Sequence, residues 1–238
     1  MNCKNCNTEI NSKFCPECGQ PTNLKRINGH YIIHEIEHVL HFERGILYTV
    51  RELVTSPGQN IRNYLSENRS RLVKPIIFII LTSLIYTLIS HYFHIEEKYI
   101  SYIGLEKSSI GTILKWIQGN YGYASILTGI FIAIWLKVFF KKYGYNFFEL
   151  LIMLCFVQGI SMLIFALFAF AEGLLHYKLL NIAGFIGVIY LVWAIGNFFE
   201  AKKIGSYVKA LFSFLLGTLT FYIIIFTIGI TIDILTKH

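Results

Sequence analysis

Four thiols stand near the start of the chain in two pairs. Cys3 and Cys6 form one Cys-x-x-Cys, and Cys15 and Cys18 form another within Phe-Cys-Pro-Glu-Cys-Gly. Two such pairs can present four thiolates to one tetrahedral Zn²⁺. Eight residues separate the pairs, a short spacing for a four-cysteine site. A disulfide or free thiols are the competing readings, and a disulfide needs an oxidising compartment, against the charge pattern described below. Four thiolates leave no open position on the metal, so the expected role of Zn²⁺ is structural. A segment this small cannot bury a core without it. The fifth cysteine, Cys155, sits alone in an apolar run and reads as a small apolar residue.

A second set of metal-binding side chains follows. His30, His34, His38 and His41 fall within an arc of about 80° on a helix of 3.6 residues per turn, with Glu37 on the same face. His34-Glu35-Ile36-Glu37-His38 also fits the H-E-x-x-H pattern, in which two His hold Zn²⁺ and the Glu activates a water. The extended version of that motif lacks its third ligand, because Arg44 stands in the place of the third His and His41 in that of the Gly. Little polar chain is present to build a substrate cleft. The plain reading is a polar helix face with interfacial histidines. A metal or pH-sensing site at His34, His38 and His41, or a metallopeptidase, are the sharper ones.

The third set is basic. Arg62, Arg69, Arg71 and Lys74 crowd the entrance to the first long apolar run. Beside an anionic bilayer each such residue is worth about 1 kcal/mol of attraction. Guanidinium forks also match phosphate bidentately. The four are candidate contacts for a lipid headgroup, with simple charge anchoring as the alternative.

The elements that must carry these residues are mostly apolar. Of 238 residues, 55% are hydrophobic and 15% charged, with a mean hydropathy of +0.55, where a soluble domain carries about 25% charged residues. A bilayer core takes about 20 apolar residues as helix. Five windows qualify, near 75–93, 121–140, 147–171, 179–199 and 207–235. The last is long enough to tilt or project. Ahead of them, residues 29–55 read as one amphipathic helix with Ile32, Ile33, Ile36, Val39, Leu40, Ile46, Leu47, Val50, Leu53 and Val54 on its apolar side. Thr55-Ser56-Pro57-Gly58 breaks it, and Ser56 can cap a second helix over 57–67 with Pro57 in its first turn. Both look interfacial. Residues 109–118 read as a short surface helix with Trp116 at the headgroups.

Charge sets the orientation. With the N-terminus inside, the inner flanks hold Arg62, Arg69, Arg71, Lys74, Lys137, Lys141, Lys142, Lys202, Lys203 and Lys209, and the outer flanks hold Lys98, Lys107, Lys115, Lys178 and Lys237. The net charge of +7 is thus a feature of membrane edges, and no nucleic-acid partner is expected. Within the spans Gln158 reads as a contact between helices, Gly184 and Gly187 as points of close packing, and Glu149 as a partner for Lys137 or a basic residue of the amphipathic region.

The segment Phe14-Cys15-Pro16-Glu17-Cys18-Gly19-Gln20 resembles the head of an uncharacterised bacterial family, the domain of unknown function thirty-six sixty-seven. The resemblance continues through Gly45-Ile46-Leu47-Tyr48-Thr49-Val50, Ser56-Pro57-Gly58-Gln59-Asn60-Ile61-Arg62 and Glu67-Asn68-Arg69-Ser70-Arg71-Leu72-Val73-Lys74-Pro75. It covers roughly the first ninety residues. It implies a zinc-ribbon-headed membrane protein and no known activity.

The expected fold is therefore an all-α membrane protein. A small zinc ribbon occupies residues 1–22, cytoplasmic interfacial helices 29–74, and a bundle of about five transmembrane helices 75–238. The expected place is the inner membrane of a bacterium, the expected partners anionic lipids, a protein bound through the ribbon and other copies of the chain. A scaffold, sensor or interaction module fits this best. A small oligomeric transporter or channel, and a metallopeptidase using the His34–His38 helix, are the alternatives.

Overall fold

Long charge-free runs form helices in a bilayer because no water is there to satisfy an open backbone. The computed structural model describes residues 2, 8, 9, 15–17, 45–69, 71–95 and 108–236. The chain divides into two compact units, Met1–Glu43 and Arg44–His238. In the first, an isolated antiparallel bridge joins Asn2 to Glu9, and buried Cys15 is followed by a turn at Pro16 and Glu17.

The second unit is helical throughout its described residues. Two short helices, α1 (Gly45–Thr55) and α2 (Pro57–Ser66), precede α3 (Pro75–Tyr92). Then come α4 (Ser109–Gly119), α5 (Tyr121–Phe139), a 3₁₀ turn (Lys141–Tyr143), α6 (Phe147–Leu175), α7 (Leu180–Glu200) and α8 (Ile204–Thr236). Helices α3, α5, α6, α7 and α8 are long and apolar enough to cross a membrane, and the chain is a multi-pass membrane protein. All five begin and end within a few residues of the windows read from hydropathy.

The punctuation is chemical. Pro57 and Pro75 each open a helix at its first turn, where a missing N–H leaves nothing unsatisfied. Gly144, at φ +77°, closes the turn after α5. Asn146 and Glu149 form a capping box on α6, with the Glu149 amide 2.9 Å from Asn146 Oδ1 and the Asn146 amide 2.7 Å from Glu149 Oε2. Glu149 thus turns to its own helix end, while Lys137 donates to the Tyr145 carbonyl.

Of the helix expected over 29–55, α1 carries the part from Gly45, whose φ is +69°; residues 29–44 lie outside the described residues. Ser56 sits at the N-cap of α2 but its hydroxyl makes no capping bond there.

Helix α6 is the central column. Helix α3 packs most extensively against it, and α5 and α7 flank it. Helix α8 lies across α5 and α7, and its far end carries α4, where the Asp233 carboxylate accepts the Ser109 amide at 2.9 Å. At 33 residues and 1.5 Å per residue, α8 is about 50 Å long, well beyond the ~30 Å hydrocarbon core. Helices α3, α6 and α8 begin on one face and α5 and α7 end there. That face carries Arg62, Arg69, Arg71, Lys74, Lys137, Lys141, Lys142, Lys202, Lys203 and Lys209; the described lysines of the opposite face are Lys115 and Lys178.

Candidate functional site

The stretch read as interfacial is a platform built into the basic face. Thr49 and Leu53 are its fully buried residues on α1, and Ile46 and Val50 pack partly beside them. Leu47 and Val54, on the same helix, stay exposed. On α2, Ile61 and Tyr64 are buried, and Tyr64 meets Phe156 of α6 edge-on at 5.1 Å. These side chains and Phe156, Val157, Ile195 and Phe198 of the bundle belong to one continuous core.

Hydrogen bonds then fix the platform at defined points. Thr49 Oγ1 accepts the Val73 amide at 3.1 Å, tying α1 to the entrance of α3. Tyr190 of α7 donates to the Leu53 carbonyl at 3.1 Å. Asn60 Nδ2 donates to the carbonyls of Glu52 and Ser56 at 2.9 and 3.0 Å, closing the α1–α2 corner. Gly58 lies against Asn197, and a Cβ there would stand 2.3 Å from its carbonyl carbon and oxygen. That approach brings Arg62 to the end of α7, where Nη1 donates to the Asn197 and Phe198 carbonyls at 2.8 and 2.6 Å. The last carbonyls of a helix have no partner within it, so this guanidinium is the C-terminal cap of α7.

The four basic candidates therefore divide. Arg62 is inside the fold. Arg71 bonds within the platform, Nε donating to the Tyr48 hydroxyl at 3.0 Å and Nη2 to Glu52 Oε2 at 2.7 Å. The Tyr48 bond, ahead of the Glu52 charge, pushes the Arg71 pKa above its ordinary value, so it stays charged. Arg69 and Lys74 are exposed. Burial raises the phenol of Tyr64, partly offset by Arg69, and that of Tyr145, partly offset by Arg62. Of the metal candidates, Cys15 is described; Cys3, Cys6, Cys18, His34, His38 and His41 lie outside the described residues.

One functional position escaped the sequence. Glu172, 1% exposed, lies near the end of α6, and its Oε2 accepts the amides of Leu179 and Leu180 at 2.9 and 3.1 Å. Its carboxylate caps the start of α7.

Between α5, α6, α7 and α8 lies a mostly apolar, partly open cavity of about 260 Å³. Gln158 lines it, 93% buried (7% exposed), with no hydrogen bond to a described residue. Thr218 Oγ1, also at the cavity, is buried without a partner among the described residues. Gly184 and Gly187 line its wall; a Cβ at either would meet only the Phe165 ring, at 4.0 and 3.5 Å. They leave room for the cavity, whereas a Cβ would stand within 3 Å of a neighbour at other glycines, Gly58, Gly159, Gly173 and Gly217 among them.

Residues 43–87 match the family described as protein of unknown function (DUF3667). The match takes in the Pro57-Gly58 and Arg62 elements, all of α1 and α2, and most of α3, in agreement with the resemblance seen in the sequence; residues 14–20 fall outside it. No curated protein and no solved structure matches the chain.

Proposed function

We propose that the chain is a membrane-anchored adaptor. Its head is a zinc knuckle of Cys3, Cys6, Cys15 and Cys18 that takes a protein partner, and its bundle is the anchor. The observation that supports this is Arg62. In the family-matched segment this guanidinium is engaged in fixing α2 to the end of α7. Such a segment gives the preceding chain a rigid point of attachment. The basic face is the cytoplasmic one, by the excess of Lys and Arg there, which places the thiols in a reducing compartment where zinc outcompetes disulfide. Arg69 and Lys74, the exposed pair, contact anionic headgroups of the inner membrane.

A second reading, a small carrier, is favoured by the cavity at Gln158, since unpaired polar groups deep in a bundle mark solute pathways. The residues of the His34–Glu35–His38 peptidase reading lie outside the described residues.

The test uses the full-length protein in its own membrane. A photo-crosslinking residue at position 17, with and without C3S/C18S, is read together with zinc content after purification without chelator. One zinc per chain and a discrete crosslinked protein that disappears in the double variant are expected. Absence of zinc, or the same crosslinks in both proteins, overturns the adaptor. Solute flux in liposomes that survives loss of the cysteines supports the carrier instead.

A further inference from the structure

On the basic face, the turn after α5 and the turn between α7 and α8 close a hollow of about 340 Å³. Lys142, Lys202, Lys203 and Lys209 surround it. Lys209 Nζ is held 3.5 Å from the Phe139 carbonyl oxygen and 5.9 Å from the centre of the Phe140 ring. Lys142 Nζ lies 4.9 Å over the Tyr143 ring. The nearby carboxylate, Glu200, is already engaged: Lys203 pairs with it at 2.6 Å and the Tyr143 hydroxyl donates to it at 2.7 Å. Four lysines against one carboxylate leave three positive charges (4 − 1) at the hollow.

Its floor is the first turn of α8. The Ser206 amide bonds back to the Lys203 carbonyl at 2.9 Å, and the Ile204 and Gly205 amides precede the first intrahelical bond. Nothing would lie within 4 Å of a Cβ on Gly205, so the space beside that residue is open. Ser206 is 3% exposed, lines the hollow, and its hydroxyl makes no hydrogen bond to a described residue. The hydroxyl of this buried residue is thus free to bond to a ligand in the hollow. Hydrogen-bond donors, an aligned helix dipole and surplus ammonium groups converge on one small volume. That set complements a tetrahedral oxyanion.

We propose that this hollow binds a phosphate group, through Ser206, the first amides of α8 and Lys142, Lys202 and Lys209. Phosphate reaches this face either as the headgroup of an anionic phospholipid or as a soluble ion. The exposed Ile204 and Val208 beside it give a lipid somewhere to lay its chains. The site is separate from the Arg62 platform and independent of the zinc knuckle.

Native mass spectrometry of the full chain, extracted from vesicles of phosphatidylglycerol and phosphatidylcholine, tests the lipid source; calorimetry with inorganic phosphate tests the soluble one. Wild type is compared with Ser206→Ala, Lys202→Gln/Lys209→Gln and, on the same face outside the hollow, Lys137→Gln. Losing one hydrogen bond to a charged group is worth about tenfold in affinity, so Ser206→Ala is expected to lower retention of phosphatidylglycerol about tenfold. The double Gln variant should lower it further and Lys137→Gln should not. The same ranking with inorganic phosphate alone assigns the site to the soluble ion. Equal retention in wild type, Ser206→Ala and the double variant overturns the site. So does a loss in Lys137→Gln as large as in the double variant with Ser206→Ala silent, which would mean surface charge alone.

Discussion

Arg62 and Glu172 hold opposite ends of the same helix. The guanidinium donates to the carbonyls of Asn197 and Phe198, and the carboxylate accepts the amides of Leu179 and Leu180. Each charge has the sign that the α7 dipole favours at its end. Neither comes from α7. One lies on the platform before the first span and the other at the end of the third, so the two caps also tie α7 to α2 and α6.

Arg62→Ala leaves two carbonyls at the end of α7 without their donor. Hydrogen bonds to a charged group are worth about 1.5–3 kcal/mol, and a loss of that size is expected in detergent-solubilised protein. Arg62→Lys should recover part of it, because one ammonium carries charge without the planar fork. Thermal unfolding followed by intrinsic fluorescence measures both. Gly58→Ala, on the same contact, should destabilise at least as much, since its Cβ would stand 2.3 Å from the Asn197 backbone. Gly205→Ala is the matched control, with open space beside it. Equal melting temperatures for the two glycine variants would contradict the close contact.

At the other end, Glu172→Gln keeps an oxygen for the Leu179 and Leu180 amides but loses the charge, whereas Glu172→Ala loses both. The expected order of stability is wild type, Gln, then Ala. The Ala variant should lose about 1–3 kcal/mol for orphaned buried groups. An Ala variant as stable as the Gln variant would mean that the carboxylate does not cap α7.

Why the sequence showed the spans and missed these caps has a physical basis. Hydropathy responds to the summed transfer of some twenty side chains, so one ambiguous residue does not move a window. That is why α3 and α5 begin where the pattern puts them, at Pro75 and Tyr121. A single charge near a helix end carries no such redundancy. Glu172 fell beyond an apolar window that stops at residue 171; the available signal was an acidic residue seven positions (179 − 172) before a second apolar run. Arg62 and Arg71 read as lipid contacts because composition cannot tell which way a guanidinium turns. Tyr48, Glu52 and the end of α7, 135 residues from Arg62, decide that. Gly184 and Gly187 misled for a related reason, since a glycine marks either a near neighbour or an empty space.

Five crossings put the two ends of the bundle on opposite faces. A reporter inserted in the turn at Lys141–Tyr143 should share its side with one placed before α1. A reporter fused after residue 238 should be on the other side. Alkaline phosphatase and fluorescent-protein fusions read the two sides independently. Finding the C-terminal reporter on the side of the Lys141 turn would remove one span, and α4 would then have to be reconsidered as part of a crossing.

Gln158 lies 11 residues into α6 (158 − 147), so at 1.5 Å per residue it is about 16 Å from the helix start and close to mid-membrane. Its amide faces a mostly apolar cavity and meets no described hydrogen-bond partner. A polar amide facing a mostly apolar cavity gains little from it, whereas Leu of similar size would line the cavity with no polar group to satisfy. Gln158→Leu is therefore expected to hold or raise the melting temperature of purified protein. Gly187→Leu, which fills part of the same space, reports on the cavity separately, because its side chain must displace whatever occupies it. A fall in melting temperature for Gln158→Leu, with Gly187→Leu also destabilised, would contradict this reading of the amide and mean that a polar molecule normally bonds to it. If Gln158→Leu is instead stable but abolishes flux in liposomes, the amide acts in transit and the carrier reading gains over the adaptor.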